Sequence, residues 1–260
     1  MNAYPVIAWR NLLCETPGPT VTHSADTVGY PFANLYDWRD YTQWMSSATG
    51  ELVIKLDAEP LPGQVMTVDT LVIFGHDLHT VGVSGLSLLW SDDDVTYTPC
   101  FTPLTPDSDR IIFRSFAEEA HRYFKLIIPA GYTQAPKIGL LFVGAAMAIP
   151  AYPDSGFDPD ALEADVAAEY SRTGRLLGIA DRFRRREIKV NFSRLPLAFI
   201  KDELMPFWNA HGTKPWFFAW DPVGHPDEAY LVRLSTPRLE APYEKTLRNL
   251  SLTLVATEQI

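Results

Sequence analysis

Asp92, Asp93 and Asp94 form a run of three adjacent carboxylates. Such a run invites a calcium ion, which takes roughly six to eight oxygen ligands. One turn rarely supplies that many, so the run reads as a solvated turn between strands. His76 and His79 are three residues apart, a spacing that would let both meet a metal on a helix. They follow a strand-like segment instead, so a loop carries them and no shared metal is expected. The two cysteines, Cys14 and Cys100, are too far apart in the chain for a zinc pair and too few for a disulfide framework. Two buried free thiols are expected, which fits assembly in a reducing cytoplasm. No nucleophile sits in a recognisable elbow, and no pair of carboxylates has a context that marks it as acid and base. The expectation is a protein that is not an enzyme and carries no metal or cofactor.

Residues suited to binding are easier to find. Tyr36, Trp38, Tyr41 and Tyr97 lie in loop-like stretches, where an aromatic ring can stack on a sugar or a partner, or pack inward. Tyr4 and Trp9 stand in an extended lead-in that can add to a sheet edge, either of this chain or of a neighbouring subunit. Arg182, Arg184, Arg185 and Arg186 form a basic strip that reads as a solvated or subunit-facing edge. Net charge is −10, with most of the acidic excess in the first 150 residues. An acidic chain gains nothing from counterion release, so no specific nucleic acid is expected as a partner.

These residues need elements to hold them. Hydrophobic residues at 47% can fill a core, and charged residues at 21% are too few for a disordered chain. Twenty-one prolines and seven tryptophans favour a loop-rich β-protein. No apolar run reaches the ~18 residues of a membrane span, and the first residues lack the pattern of a signal peptide. From residue 14 to 150, short apolar segments recur between turn signals: Leu52 to Leu56, Thr70 to Phe74, Leu86 to Trp90, Ile111 to Phe113, Tyr123 to Ile128 and Ile138 to Val143. That spacing predicts a sandwich or barrel. The last of these segments are apolar on both faces, as central strands are.

Residues 151–168 read as a linker, rich at first in Pro, Gly, Ser and Asp, with a brief helix over 162–170. Residues 169–260 read as a second β-domain. Ile188, Val190 and Phe192 alternate on one strand, and Leu250, Leu252 and Leu254 on the last. Between them Phe199, Ile200, Leu204, Phe207 and Trp208 recur at helical spacing, with Pro206 predicting a kink or a stop. Gly212 ends that helix in the left-handed conformation, and Pro215 to Trp220 forms an aromatic strand.

Two resemblances attach to these residues. The run Tyr30-Pro31-Phe32-Ala33-Asn34-Leu35-Tyr36-Asp37, then Gln43-Trp44, resembles the opening of discoidin-type, galactose-binding-like domains. Asp69 to His76, Leu88 to Asp93 and Ala120 to Leu126 follow in family order. The resemblance covers about residues 15–149. It implies an eight-stranded jelly roll that binds sugars, lipids or proteins through loops at one end. The stretch Leu195 to Pro222, with the strands around it from Arg184 to Ile260, resembles distal and minor tail proteins of long-tailed bacteriophages. That likeness implies a ring at the tail tip, a hexamer in preference to a trimer, in contact with tail tube and baseplate proteins. The fold expected is mainly β: a galactose-binding-like sandwich over 14–150, preceded by an extension or edge strand over 1–13, and a distal-tail-like β-domain packing one helix.

The function expected is a structural protein of the virion, assembled in the host cytoplasm, with a host surface glycan as a further possible partner. The alternative is a carbohydrate-binding module of a secreted or cell-surface protein.

Overall fold

Alternation of buried and solvent-facing residues builds two antiparallel sheets in the first of two units, which comprises Met1–Ala148 and Trp216–Ala229. The computed structural model describes residues 4–14, 18–58, 65–159, 162–235, 243–244 and 247–257. One sheet has five strands, in the order Thr20–His23, Leu52–Asp57, Tyr123–Ile128, Ser87–Ser91 and Thr98–Pro99. The other has three: Leu140–Gly144, Met66–Phe74 and Ile112–His121. Leu52, Ile54 and Leu56 point inward with Phe124, Leu126 and Ile128, and meet Leu71, Ile73, Leu141 and Val143 from the other sheet. Trp44 is fully buried here, and its indole N–H donates to Asp26 over 2.9 Å. A buried tryptophan needs such a partner. The same carboxylate accepts the Phe32 amide at 3.1 Å, so Asp26 ties the aromatic opening segment to the core.

In the three-stranded sheet Leu140–Gly144 and the last half of Met66–Phe74 are buried on both faces, as the double-sided apolar pattern predicts, while Ile112–His121 leaves Arg114, Ala117 and Glu118 exposed. Phe74 and Phe142 point away from the sandwich core and meet Phe217, with ring centres 6.2 and 6.3 Å apart. Phe217 belongs to the Trp216–Ala219 strand, which pairs with Val6–Ala8; that lead-in strand pairs on its other side with Met147–Ala148. The lead-in is therefore an internal strand of its own unit. Asn11, just beyond it, is buried. Its amide donates to the Leu141 carbonyl at 2.7 Å and accepts from Val143 N–H at 3.3 Å. One side chain thus satisfies the free edge of Leu140–Gly144.

The second unit comprises Ile149–Pro215 and Tyr230–Ile260. The strand Leu176–Pro196 pairs through its later half with Leu247–Ala256, which also pairs with Val232 to Leu234. Ile188, Val190 and Phe192, and Leu250, Leu252 and Leu254, are buried as their alternation predicts. The earlier half of Leu176–Pro196 pairs with Leu162–Tyr170. Residues 162–168 are thus not linker, and 162–170 is strand rather than helix. Helix propensity in this Ala- and Glu-rich stretch yields to the ladder that the facing strand offers. A second boundary also moves: the aromatic strand and the loop after it cluster with the first unit rather than with 169–260.

The predicted helix exists, and Pro206 neither stops nor breaks it. Leu197–Phe199 is α-helical, Ile200–Leu204 is a π-helical turn and Met205–His211 is α-helical again. Proline lacks the N–H that would bond four residues back. The wider turn places it at the start of a fresh α-helical segment, with Met205 N–H donating to Ile200. Gly212 is not left-handed; its φ is −57°. Glycine is needed there for space, since a Cβ would lie 2.5 Å from the Trp208 ring.

Candidate functional site

The loop leading into Ile112–His121 is fastened from behind. Leu86 and Leu104 exchange backbone hydrogen bonds of 2.8 Å, and the Gly85 N–H donates to Thr105 Oγ1 at 3.3 Å. His79 Nδ1 lies 3.1 Å from the Pro106 carbonyl oxygen. The Asp109 carboxylate accepts from the His79 and Thr80 amides at 2.8 and 3.1 Å, and from the Thr80 hydroxyl. Burial pushes Asp109 upward, but these hydrogen bonds outweigh it and hold the carboxyl below the usual range. His76, beneath the loop, is pushed down to about 4 by burial, which disfavours the charged ring.

A second loop of the same unit closes on itself. Asp221 accepts from the Gly224 amide at 2.8 Å, the His225 ring stacks on Trp220, and Trp220 Nε1–H donates to Glu228 at 2.7 Å. The two loops border a cleft of about 670 Å³, within the usual range for ligand sites. Ile111, Ile112 and Phe113 give it apolar surface; Asp107, Arg110, Arg114 and Asp227 give it charge. Arg110 and Arg114 are solvent-facing, and neither makes an ion pair or hydrogen bond through its side chain with a described residue. The Asp227 carboxylate is likewise unengaged. Several other cations of this unit are engaged, although among the described residues Arg39 is not: Lys55 pairs with Asp94 at 2.7 Å, Arg122 with Asp57 at 3.0 Å, and the Lys125 ammonium sits 3.5 Å from the Tyr97 ring centre.

The aromatic residues singled out in the sequence do not converge on this cleft. Tyr36 packs edge-on against Phe32, which stacks on His23 with 4.0 Å between ring centres. Trp38, at a φ of 60° that favours glycine, lies against Phe217. Tyr41 is exposed on the same loop. Tyr97 lies toward the other end of the five-stranded sheet, past Ser91 and Tyr123, where its hydroxyl donates to Asp94. Burial and that hydrogen bond push its phenol upward. Tyr97 is locked between Asp94 and Lys125 and offers no open platform.

The three aspartates are engaged separately. Asp92 meets His121 at 3.0 Å, while Asp94 takes Lys55 and Tyr97. Asp93 accepts from the Thr96 and Val95 amides and from Ser91 Oγ, which bring its carboxyl down to about 2. They therefore do not converge on one cation. His76 and His79 occupy a loop, as expected. Cys100 is pushed up to about 12, first by burial and then by the Glu119 charge, and is a poor nucleophile.

Of the proposed subunit contacts, Tyr4 is exposed, while Trp9 is half-buried beside the internal lead-in strand. Arg186 is used within its own unit: its guanidinium donates to the Pro159 carbonyl at 2.7 Å and lies over the Tyr230 ring. The side chains of Arg182, Arg184 and Arg185 lie outside the described residues. Arg110, Arg114 and Asp227 escaped the sequence reading. Their cue is spatial, since Asp227 is far from the arginines in the chain.

A five-stranded sheet facing a three-stranded one, all antiparallel, makes the first unit a β-sandwich, the architecture that the galactose-binding-like resemblance implies. No family model matches the chain, and no curated protein matches it. Solved structures share the sandwich. A pectin-binding carbohydrate-binding module is 21% identical, covering 50% of this chain and 93% of its own, with a TM-score of 0.39. A chitosan-binding module from a Paenibacillus chitosanase/glucanase is 17% identical, covering 52% and 99%, with a TM-score of 0.41. A Ruminococcus gnavus fucosidase is 20% identical; it covers 53% of this chain, which spans only 27% of the enzyme, with a TM-score of 0.42. These likenesses concern the fold alone.

Proposed function

We propose that the chain is a non-catalytic binding protein whose first unit takes a carbohydrate in the cleft between the 104–114 segment and the 221–228 loop. The observation that carries this reading is the cleft itself: walls fastened by hydrogen bonds, apolar surface, and charged groups left without partners. A sugar presents C–H faces to apolar surface and hydroxyls to fixed polar groups. Charge-assisted hydrogen bonds to guanidinium and carboxylate are the stronger kind. The test is affinity electrophoresis of the full chain through native gels that contain single polysaccharides. Retardation by at least one, reversed by its free oligosaccharide, is expected. Unchanged mobility in every gel would overturn the reading.

A second reading adds self-assembly, as in a ring component at the tip of a phage tail. One observation favours it. The outer part of the 162–196 hairpin pairs only within itself among the described residues, and Tyr170, Leu176, Leu177 and Ile179 are exposed there. Exposed apolar side chains on a strand pair fit contact with a further subunit. On this reading the protein is part of the virion, its partners are its own copies and neighbouring tube or baseplate proteins, and the sandwich meets a host glycan. Light scattering across concentrations tests it. A defined hexamer or trimer is expected, weakened by Leu177→Ser with Ile179→Ser; a monomer throughout counts against self-assembly in isolation.

A further inference from the structure

We propose that the ligand of this cleft is an acidic oligosaccharide, held through its carboxylates by Arg110 and Arg114; the proposal rests on the carbohydrate-binding reading above. Both arginines line the cleft, both are exposed, and neither has an internal partner through its side chain. A guanidinium presents paired N–H donors whose spacing fits a carboxylate, a match that the hydroxyls of a neutral sugar do not reproduce. The two positions are four steps apart in the chain, so their Cα atoms lie at most about 14 Å apart. That reach suits carboxylates on nearby residues of one sugar chain.

The acidic groups of the cleft are not paired with either arginine, so both guanidiniums keep their donors open. Asp107 already accepts from Ser108 Oγ at 3.3 Å, which leaves Asp227 as the one lining carboxylate without a partner. Two guanidiniums and two carboxylates line the cleft, so the preference rests on the paired donors of the two arginines and not on net charge. Asp227 serves as a hydroxyl acceptor on the other wall. It belongs to the 221–228 loop rather than to a strand of either sheet, so the sandwich alone would lack half of the site.

The experiment is titration calorimetry of the full chain with oligogalacturonate, neutral β-galactan oligosaccharide and chitosan oligosaccharide at low and moderate salt. Oligogalacturonate is expected to bind most tightly and to weaken as salt rises. Arg110→Gln and Arg114→Gln are each expected to weaken it roughly tenfold to a hundredfold, the range for losing a charge-assisted hydrogen bond. The corresponding lysine variants, which keep the charge and lose the fork, are expected to fall between. Both side chains are exposed, and an unchanged melting temperature checks that the fold is intact. Tighter binding of the neutral or cationic oligosaccharide would overturn the acidic preference while the carbohydrate reading stands. Full oligogalacturonate affinity in both glutamine variants would place its site elsewhere and overturn the proposal. No binding of any sugar would remove both.

Discussion

Replacing Asn11 with alanine removes a clamp that no other side chain can substitute. Leu141 and Val143 are buried, and their edge-facing carbonyl and amide are satisfied by the two ends of one carboxamide. Asn11 Oδ1 also accepts the Leu13 amide at 3.2 Å. Leaving a buried polar group unsatisfied costs about 1–3 kcal/mol. Two orphaned groups on the strand edge, with partial relaxation, give an expected loss of about 3–5 kcal/mol, a large share of the stability of an ordinary domain. Asn11→Asp keeps the acceptor but sets a carboxylate oxygen against the Leu141 carbonyl, so it is expected to do no better. Urea unfolding supplies the global number. Because the chain has two units, a single transition cannot be assumed, and hydrogen exchange at the Val143 amide supplies the local one. A global change below about 0.5 kcal/mol, the ordinary size for an inconsequential surface substitution, together with undiminished protection at Val143, would refute the reasoning.

Nearby, Gly144→Ala would place a Cβ 2.4 Å from the Arg10 carbonyl oxygen. A backbone shift costing about 1–3 kcal/mol is expected, read as a drop in urea midpoint. His76 gives a pH signature. The unfolded chain takes up this proton below 6.5, and the folded chain not until about 4, so the stabilisation is present above 6.5 and lost as pH falls toward 4. The loss is about 3 kcal/mol, and a His76→Gln variant should lack that part of the pH slope in unfolding measured between pH 7 and 4. The cysteines should differ in reactivity. Cys14 is exposed and Cys100 is half-buried with a raised pKa. Intact mass after brief iodoacetamide treatment should show one adduct on the native chain and two after denaturation; two on the native chain would contradict the inertness of Cys100.

Strand positions were legible wherever burial alternates along the chain, as at Leu52, Ile54 and Leu56, or at Ile188, Val190 and Phe192. Trp44 was legible as an anchor because a large aromatic beside turn residues has little else to do. What a strand pairs with was less legible. Trp216 to Ala219 are buried on both faces, a pattern that marks a covered strand without naming its neighbours. Asn11 was silent, because its partners lie some 130 positions away. The strand over 162–170 reads as helix because alanine and glutamate favour helix locally and only the facing strand reverses that. The cleft was invisible for a related reason: Arg110, Arg114 and Asp227 matter through proximity and through the absence of internal partners. Neither property is written in residue type.

The outer face of the three-stranded sheet is covered by strands from both ends of the chain, and this bears on synthesis. When residue 150 leaves the ribosome, the sandwich core can close, but Phe74 and Phe142 still lack Phe217. Until the chain has grown to about residue 219, a nascent or truncated sandwich carries a bare aromatic face, a surface that favours aggregation or capture by a chaperone. Cutting the protein at its apparent boundary would therefore yield a sticky fragment. A soluble sandwich requires the 216–229 segment to be supplied with it, by the intact chain or by a graft.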